Sequence, residues 1–163
     1  MSFSSKIKEE FNKNISNNTE FLKYEVLGYI LSGNTKYVDK YFVFTTENEF
    51  NIERFYKILY RLGINYEPNK EGKNYEAIIN KDEILDEILK LQEFEKEDFA
   101  KSILRGSFLG AGSITNPENK YHLEMNFNDE KNLNEAFKLV SEAFSFQKTA
   151  PEKLSMIYEK VNI

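Results

Sequence analysis

Residues 103–114, Ile103-Leu104-Arg105-Gly106-Ser107-Phe108-Leu109-Gly110-Ala111-Gly112-Ser113-Ile114, decide the fold. An apolar helix runs here into a cluster of small residues. Glycine inside a helix costs about 1 kcal/mol relative to alanine. Gly106 and Gly110 are one turn apart and share a face. A helix that accepts this cost twice is expected to let another backbone come very close. The partner is found upstream, in residues 26–37, where Gly28 and Ser32 repeat the same spacing. Gly28, Ser32, Gly106 and Gly110 are therefore the expected contact between two helices.

Working outward, elements of the same kind recur in the same order. A first helix is expected to be capped by Ser4 or Ser5, with Ile7, Phe11 and Ile15 on one face. The polar run from Asn14 to Thr19 ends it. A second helix is expected over about 20–32. Tyr41 to Thr46 reads as a strand, and Asn48 as the cap of a helix carrying Ile52, Phe55, Ile58, Leu59 and Leu62. Gly63 ends that helix. Ile64 to Glu67 and Tyr75 to Asn80 are expected to form a hairpin around residues 68–74. Asp82 caps a short acidic helix.

The order then returns. Asp98 is expected to cap the glycine-rich helix, and residues 121–127 to form a strand. A helix with Leu133, Phe137, Leu139 and Val140 follows, then a hairpin around Pro151. This predicts an α+β fold of two αββαββ repeats related by a pseudo-twofold axis, preceded by an N-terminal helix. All 163 residues are expected to form one domain, with repeat one over about 20–91 and repeat two over about 98–163. The second repeat is expected to be truncated, because the acidic helix of the first has no counterpart before Ile163.

Composition narrows the function. The chain has 163 residues, 14 Phe, 10 Tyr and 40% apolar residues, which suits one well-filled core. It has no Cys, so disulfides, thiol catalysis and Cys-ligated zinc are excluded. One His leaves no His-rich metal site. No segment reads as a signal peptide or membrane span, so a cytoplasmic protein is expected. The net charge of −5 is concentrated in residues 82–98, where eight acids oppose two lysines. A solvated surface accounts for that run, as it does for most charge runs.

The opening MSFSSKIKEE, the block LRGSFLGAGSITNPENKYHLEM at 104–125 and the stretch TTENEFNIERFYKIL resemble one family closely. The order of elements is similar to the LAGLIDADG homing-endonuclease fold, and these motifs resemble the N-terminal domain of WhiA, a family of bacterial transcription regulators tied to sporulation and cell division. The resemblance covers essentially the whole chain. It implies transcription regulation in the full-length protein, with DNA bound mainly through a C-terminal helix-turn-helix domain absent from these residues. It also implies nucleoid association of the full-length protein, and it leaves room for protein partners.

In active homing endonucleases the eighth position of each motif is an acid, and the two acids hold the divalent metals that cut DNA. Alignment on Gly28 and Gly106 puts Gly33 and Ala111 at that position. Neither can ligate a metal, and neighbouring registers offer Ser32, Asn34, Gly110 or Gly112. No catalytic residue, metal or cofactor is expected.

The other candidates have plainer readings. His122 and Glu124 share a strand face, which suits an ordinary hydrogen-bonded sheet histidine. The run GAGSIT ends a helix, whereas phosphate loops precede one. The resemblance also offers a sheet saddle as a DNA surface. The four hairpin regions, 34–47, 64–81, 113–131 and 145–163, carry net charges of zero, zero, −2 and +1. Few phosphates would be neutralised by such a surface. Lys36, Lys40, Lys120 and Lys160 are the candidate DNA contacts if the sheet does bind. A scaffold or interaction module is the leading reading. A nucleic-acid-binding sheet and a degenerate metal-dependent endonuclease are the alternatives.

Overall fold

The structure is a computed structural model and describes residues 2–91, 97–115 and 122–128, together with 130 and 134. Five helices and six strands are present among them. The first half reads α1 (Phe3–Asn12), α2 (Thr19–Leu31), β1 (Thr35–Val38), β2 (Tyr41–Thr46), α3 (Glu49–Leu62), β3 (Tyr66–Glu71), β4 (Asn74–Asn80) and α4 (Glu83–Leu89). The second half gives α5 (Glu97–Ala111), β5 (Gly112–Thr115) and β6 (His122–Met125).

Local chemistry sets most boundaries. The α2 helix starts at Asn18, whose side chain accepts from the Glu20 N–H, and α3 starts at Asn48, which accepts from the Asn51 N–H. Asp82 caps α4 through the Leu85 N–H at 2.9 Å. These side chains satisfy amides that have no partner inside a first turn. Gly63 stops α3 with φ of 72°, and Ile64 N–H then donates back to the Leu59 carbonyl at 3.0 Å. That left-handed closing turn favours glycine.

Two expected helix starts move, and the expected strand Ile64–Glu67 shifts to Tyr66–Glu71. The first helix is capped by Ser2 rather than Ser4 or Ser5, since Ser5 N–H donates to the Ser2 hydroxyl at 3.1 Å. Ser4 instead reaches β5: its Oγ accepts from Ile114 N–H at 2.7 Å and lies 2.9 Å from the Ile114 carbonyl. Asp98 lies inside α5 rather than capping it, and its carbonyl accepts from the Ser102 hydroxyl at 2.9 Å.

The first-half strands form one antiparallel sheet in the order β1-β2-β4-β3. Phe44 pairs with Thr35 and Ala77, and all three are buried on the helix side. Among the described residues the α2 helix is central and is buried almost all round, from Leu22 to Leu31. Such a helix has no polar face to give to water. The α3 helix is amphipathic, and Ile52, Phe55, Ile58 and Leu59 enter the core. Tyr29 of α2 stacks on Phe55 at 4.2 Å between ring centroids, with Phe44 edge-on to both at 5.1 Å. Buried side chains of this size each contribute roughly 1.5–3 kcal/mol.

In the second half, α5 packs along α2, and β5 pairs with β6 in the relation that β1 has to β2. The helix expected with Phe137 and the hairpin around Pro151 lie outside the described residues.

Candidate functional site

The contact between α2 and α5 places backbone against backbone. A Cβ on Gly28 would collide with the Ile103 carbonyl oxygen and lie 2.7 Å from Ser107 N and 2.9 Å from Gly106 Cα. A Cβ on Gly106 would collide with the Glu25 carbonyl oxygen and lie 3.1 Å from Gly28 Cα. One on Gly110 would meet the Ser32 side chain, 2.6 Å from its Cβ. The crossing is thus built from Gly28, Ser32, Gly106 and Gly110. Ser32 turns its hydroxyl back to the Tyr29 carbonyl at 2.7 Å, so this buried group is paired within its own helix.

Below the crossing, both helices end together. Gly33 and Ala111 stand at the foot of the pair, and both connect to the segment after β6. Gly33 N–H donates to the Asn126 carbonyl at 2.8 Å, and Asn126 N–H donates to the Ala111 carbonyl at 3.0 Å. The Asn34 amide donates to the Gly110 carbonyl at 2.9 Å. The Asn128 amide donates to the Ile30 carbonyl at 3.0 Å. Helix C-termini leave carbonyls without partners, and here backbone N–H groups of the segment after β6 and asparagine side-chain amides satisfy them. No carboxylate takes part in any of these bonds. Among the described residues, no group of three His, Cys, Asp or Glu side chains could hold a metal ion.

A second polar cluster lies deeper. Arg54 of α3 forms a two-pronged pair with Glu25 of α2, each contact 2.9 Å. It also donates to the carbonyls of Phe11 and Asn14, the latter at 2.9 Å. Hydrogen bonding to Glu25 raises the Arg54 pKa despite burial, the larger single influence, which acts to lower it. Arg105 of α5 approaches the same carboxylate at 3.8 Å. Glu25 thereby joins α2, α3 and α5, and Arg54 adds the end of α1. Sequence reasoning missed this pair, because nothing local marks two residues 29 positions apart as partners. Tyr29 and Asn51 were missed for the same reason. The Tyr29 hydroxyl donates to Asn51 Oδ1 at 2.9 Å, and the Asn51 amide donates to the Leu109 carbonyl at 2.5 Å. Burial raises the Tyr29 pKa well above its ordinary value.

The sheet surface turned away from the helices follows from register. Residues paired across antiparallel strands share a face, and the face alternates along each strand. Phe44, Ala77 and Ile79 mark the core side. The outward side therefore carries Lys36 and Val38 of β1, Tyr41, Val43 and Thr45 of β2, Glu76 and Ile78 of β4, and Glu67, Asn69 and Glu71 of β3. Its charged groups are three glutamates and one lysine. Asn69 donates to Glu76 at 2.6 Å. Of the four candidate lysines, Lys36 lies on this face. Lys40 lies in the β1–β2 turn, where it and Asp39 have φ of 77° and 49°. Lys120 and Lys160 lie outside the described residues. His122 pairs in register with Thr115, and Glu124 with Ser113.

Known proteins match this arrangement. Residues 100–158 match the family described as WhiA LAGLIDADG-like domain. The "Probable cell division protein WhiA" of Clostridium botulinum strain Hall is 32% identical over 171 residues, covering 86% of this chain and 54% of the relative. Its counterpart in Ruminiclostridium cellulolyticum is 30% identical over 151 residues, covering 77% and 48%. The chain spans about half the length of these curated relatives. In fold, the chain is similar to the crystal structure of the N-terminal LAGLIDADG domain of DUF199/WhiA. The TM-score is 0.79 at 22% identity, over 99% of this chain and 91% of that one. Full-length DUF199/WhiA from Thermatoga maritima gives 0.76 at 23% identity, over 100% and 62%. Motif, relatives and fold point the same way: the chain has the fold of the WhiA N-terminal LAGLIDADG domain and is similar in sequence to curated WhiA proteins over about half their length.

Proposed function

We propose that this chain is a non-catalytic LAGLIDADG-like scaffold and interaction domain of a WhiA-type regulator acting in cell division. The observation that carries the reading is the foot of the helix pair. The two positions where the fold's nucleases hold metal correspond to Gly33 and Ala111, which are bonded through their backbones to Asn126, with the Asn34 amide on the neighbouring Gly110 carbonyl. Divalent cations that cut DNA need oxygen ligands, mostly carboxylates. Glycine and alanine supply no side-chain oxygen, and the Ala111 carbonyl already accepts from Asn126 N–H.

The outward sheet face supports the same reading. Three glutamates against one lysine repel a phosphate backbone instead of releasing its counterions. DNA reading in the whole protein then falls mainly to a separate helix-turn-helix domain. The printed names of the relatives, cell division proteins, suit a regulator of that kind.

The test is plasmid DNA incubated with the purified chain and Mg²⁺ or Mn²⁺. The reading expects supercoiled plasmid to remain intact. Metal-dependent nicking that copurifies with the chain and is lost on substituting one carboxylate would overturn it.

A further inference from the structure

We propose that a polar cleft beside the foot of α2 binds a small sugar phosphate. The cleft has a volume of about 410 Å³ and lies between α1, the end of α2 and the adjacent ends of β2 and β4. Ligand pockets commonly run from roughly 300 to 1,000 Å³, so a phosphorylated sugar fits with room for water. The inference does not depend on the chain being non-catalytic.

Among the described residues that line the cleft, the cation is Lys8 of α1. Its ammonium lies 5.4 Å from the centre of the Phe108 ring, and among the described residues it forms no ion pair. Desolvation by burial lowers its pKa to about 8, and no carboxylate among the described residues offsets this. A desolvated charge that has a ring face beside it but no counterion is costly to keep. An arriving phosphate dianion would supply the missing countercharge through charge-assisted hydrogen bonds.

The rest of the lining suits hydroxyl groups better than a nucleobase. Ser5, Thr45 and Thr46 bring hydroxyls, Asn48 and Asn74 bring amides, and Asn34, whose amide nitrogen serves the Gly110 carbonyl, brings its Oδ1. Neither the side-chain Nδ2 of Asn48 nor the Asn74 side chain has a hydrogen-bond partner among the described residues. A hydroxyl can donate and accept at once, and so can an amide side chain. Glu47 also lines the cleft and is the acceptor for sugar hydroxyls. Its charge repels phosphate, which fixes the polarity: phosphate toward Lys8, sugar toward Glu47. Among the described residues, the lining holds no aromatic ring that would stack on a base.

The test is titration of the isotope-labelled chain, followed by amide NMR shifts. Glucose 6-phosphate and ribose 5-phosphate are the probes, with glucose and inorganic phosphate as separate arms. The expected result is saturable shifts at Ser5, Lys8, Asn34, Thr46 and Asn74 with at least one sugar phosphate. Glucose alone and phosphate alone should bind about tenfold more weakly, a difference of ~1.4 kcal/mol. Lys8→Met, at a half-buried surface position, should weaken binding by a similar factor or more while leaving the remaining spectrum unchanged. Asn74→Ala should weaken the sugar phosphate and leave phosphate alone unaffected. Absence of shifts at about 10 mM of either probe, far above metabolite-range affinities, overturns the proposal. Equal affinity in the Lys8→Met variant also overturns it. Inorganic phosphate binding as tightly as both sugar phosphates overturns the assignment of the sugar half.

Discussion

Gly106→Ala adds one methyl group at the closest point of the α2–α5 crossing. The methyl would overlap the Glu25 carbonyl oxygen and lie 2.9 Å from the Glu25 carbonyl carbon and 3.1 Å from Gly28 Cα. All three atoms are backbone, so no flexible side chain can swing aside. The helices must separate or tilt by about 1 Å, a gap that forfeits roughly a quarter to a half of each van der Waals contact it opens. Overpacking of this kind costs about 1–3 kcal/mol, and the lost contacts along the crossing add to it. Replacing a helical glycine by alanine returns ~1 kcal/mol of propensity. The expected net loss is about 2–3 kcal/mol, or roughly 4–12 °C in melting temperature for a chain of this length. Urea unfolding followed by circular dichroism measures it directly. A variant as stable as the parent, or more stable, would refute close backbone packing as the reason for glycine here.

Other substitutions test other parts of the structure. Arg54→Met leaves Glu25 buried without its partner at 2.9 Å and should cost about 3–5 kcal/mol in urea unfolding. The double variant Arg54→Met with Glu25→Leu should recover part of that loss. Asn128→Ala removes the amide that serves the Ile30 carbonyl at 3.0 Å, and should cost about 1–2 kcal/mol by the same assay. Stability should also rise with pH in the alkaline range through Lys8. Its folded pKa of about 8 lies below the ordinary 10.5, so between these values the unfolded chain binds more protons. The penalty for burying the charge is complete below pH 8 and fades as pH climbs toward 10.5. Discounted for partial exposure, the gain is about 1 kcal/mol. Unfolding at pH 7.5 and 10 compares it, and Lys8→Met should flatten the rise.

Segments with a local chemical signal were legible in the sequence. Asn48, Gly63 and Asp82 stand where helix starts and stops were expected, since each acts within a few residues of itself. The strand Tyr41–Thr46 was readable because Phe42 and Phe44 alternate with half-exposed residues. The strand β1 was less so. Only Thr35 of its four residues is buried, and its turn uses Asp39 and Lys40 where glycine or asparagine is usual. The strand β3 runs through residues read as a loop, including Pro68. As the sheet edge, it tolerates proline and a polar sequence. Ile64, expected in that strand, is buried before it begins.

The site divides in the same way. Glycine spacing points to the helix crossing, and absent carboxylates can be read off motif positions. The Arg54–Glu25 pair, the asparagine amides at the helix feet and the Lys8 cleft depend on tertiary approach. Lys8 sits in an exposed-looking helix and meets Phe108, 100 positions away, only in the folded chain.

The central claim, that the sheet face of this domain is not a DNA-binding saddle, is tested most directly by fluorescence anisotropy of the 163-residue chain on labelled duplex DNA at two salt concentrations. Even competent proteins bind DNA non-specifically only at about 10⁻⁴–10⁻⁶ M at physiological salt. With Glu67, Glu71 and Glu76 facing outward against Lys36, the account predicts binding at or beyond the weak end, little sequence preference and a shallow salt slope. Tight binding with a steep salt dependence, lost on Lys36→Ala and strengthened by Glu76→Gln, would contradict it.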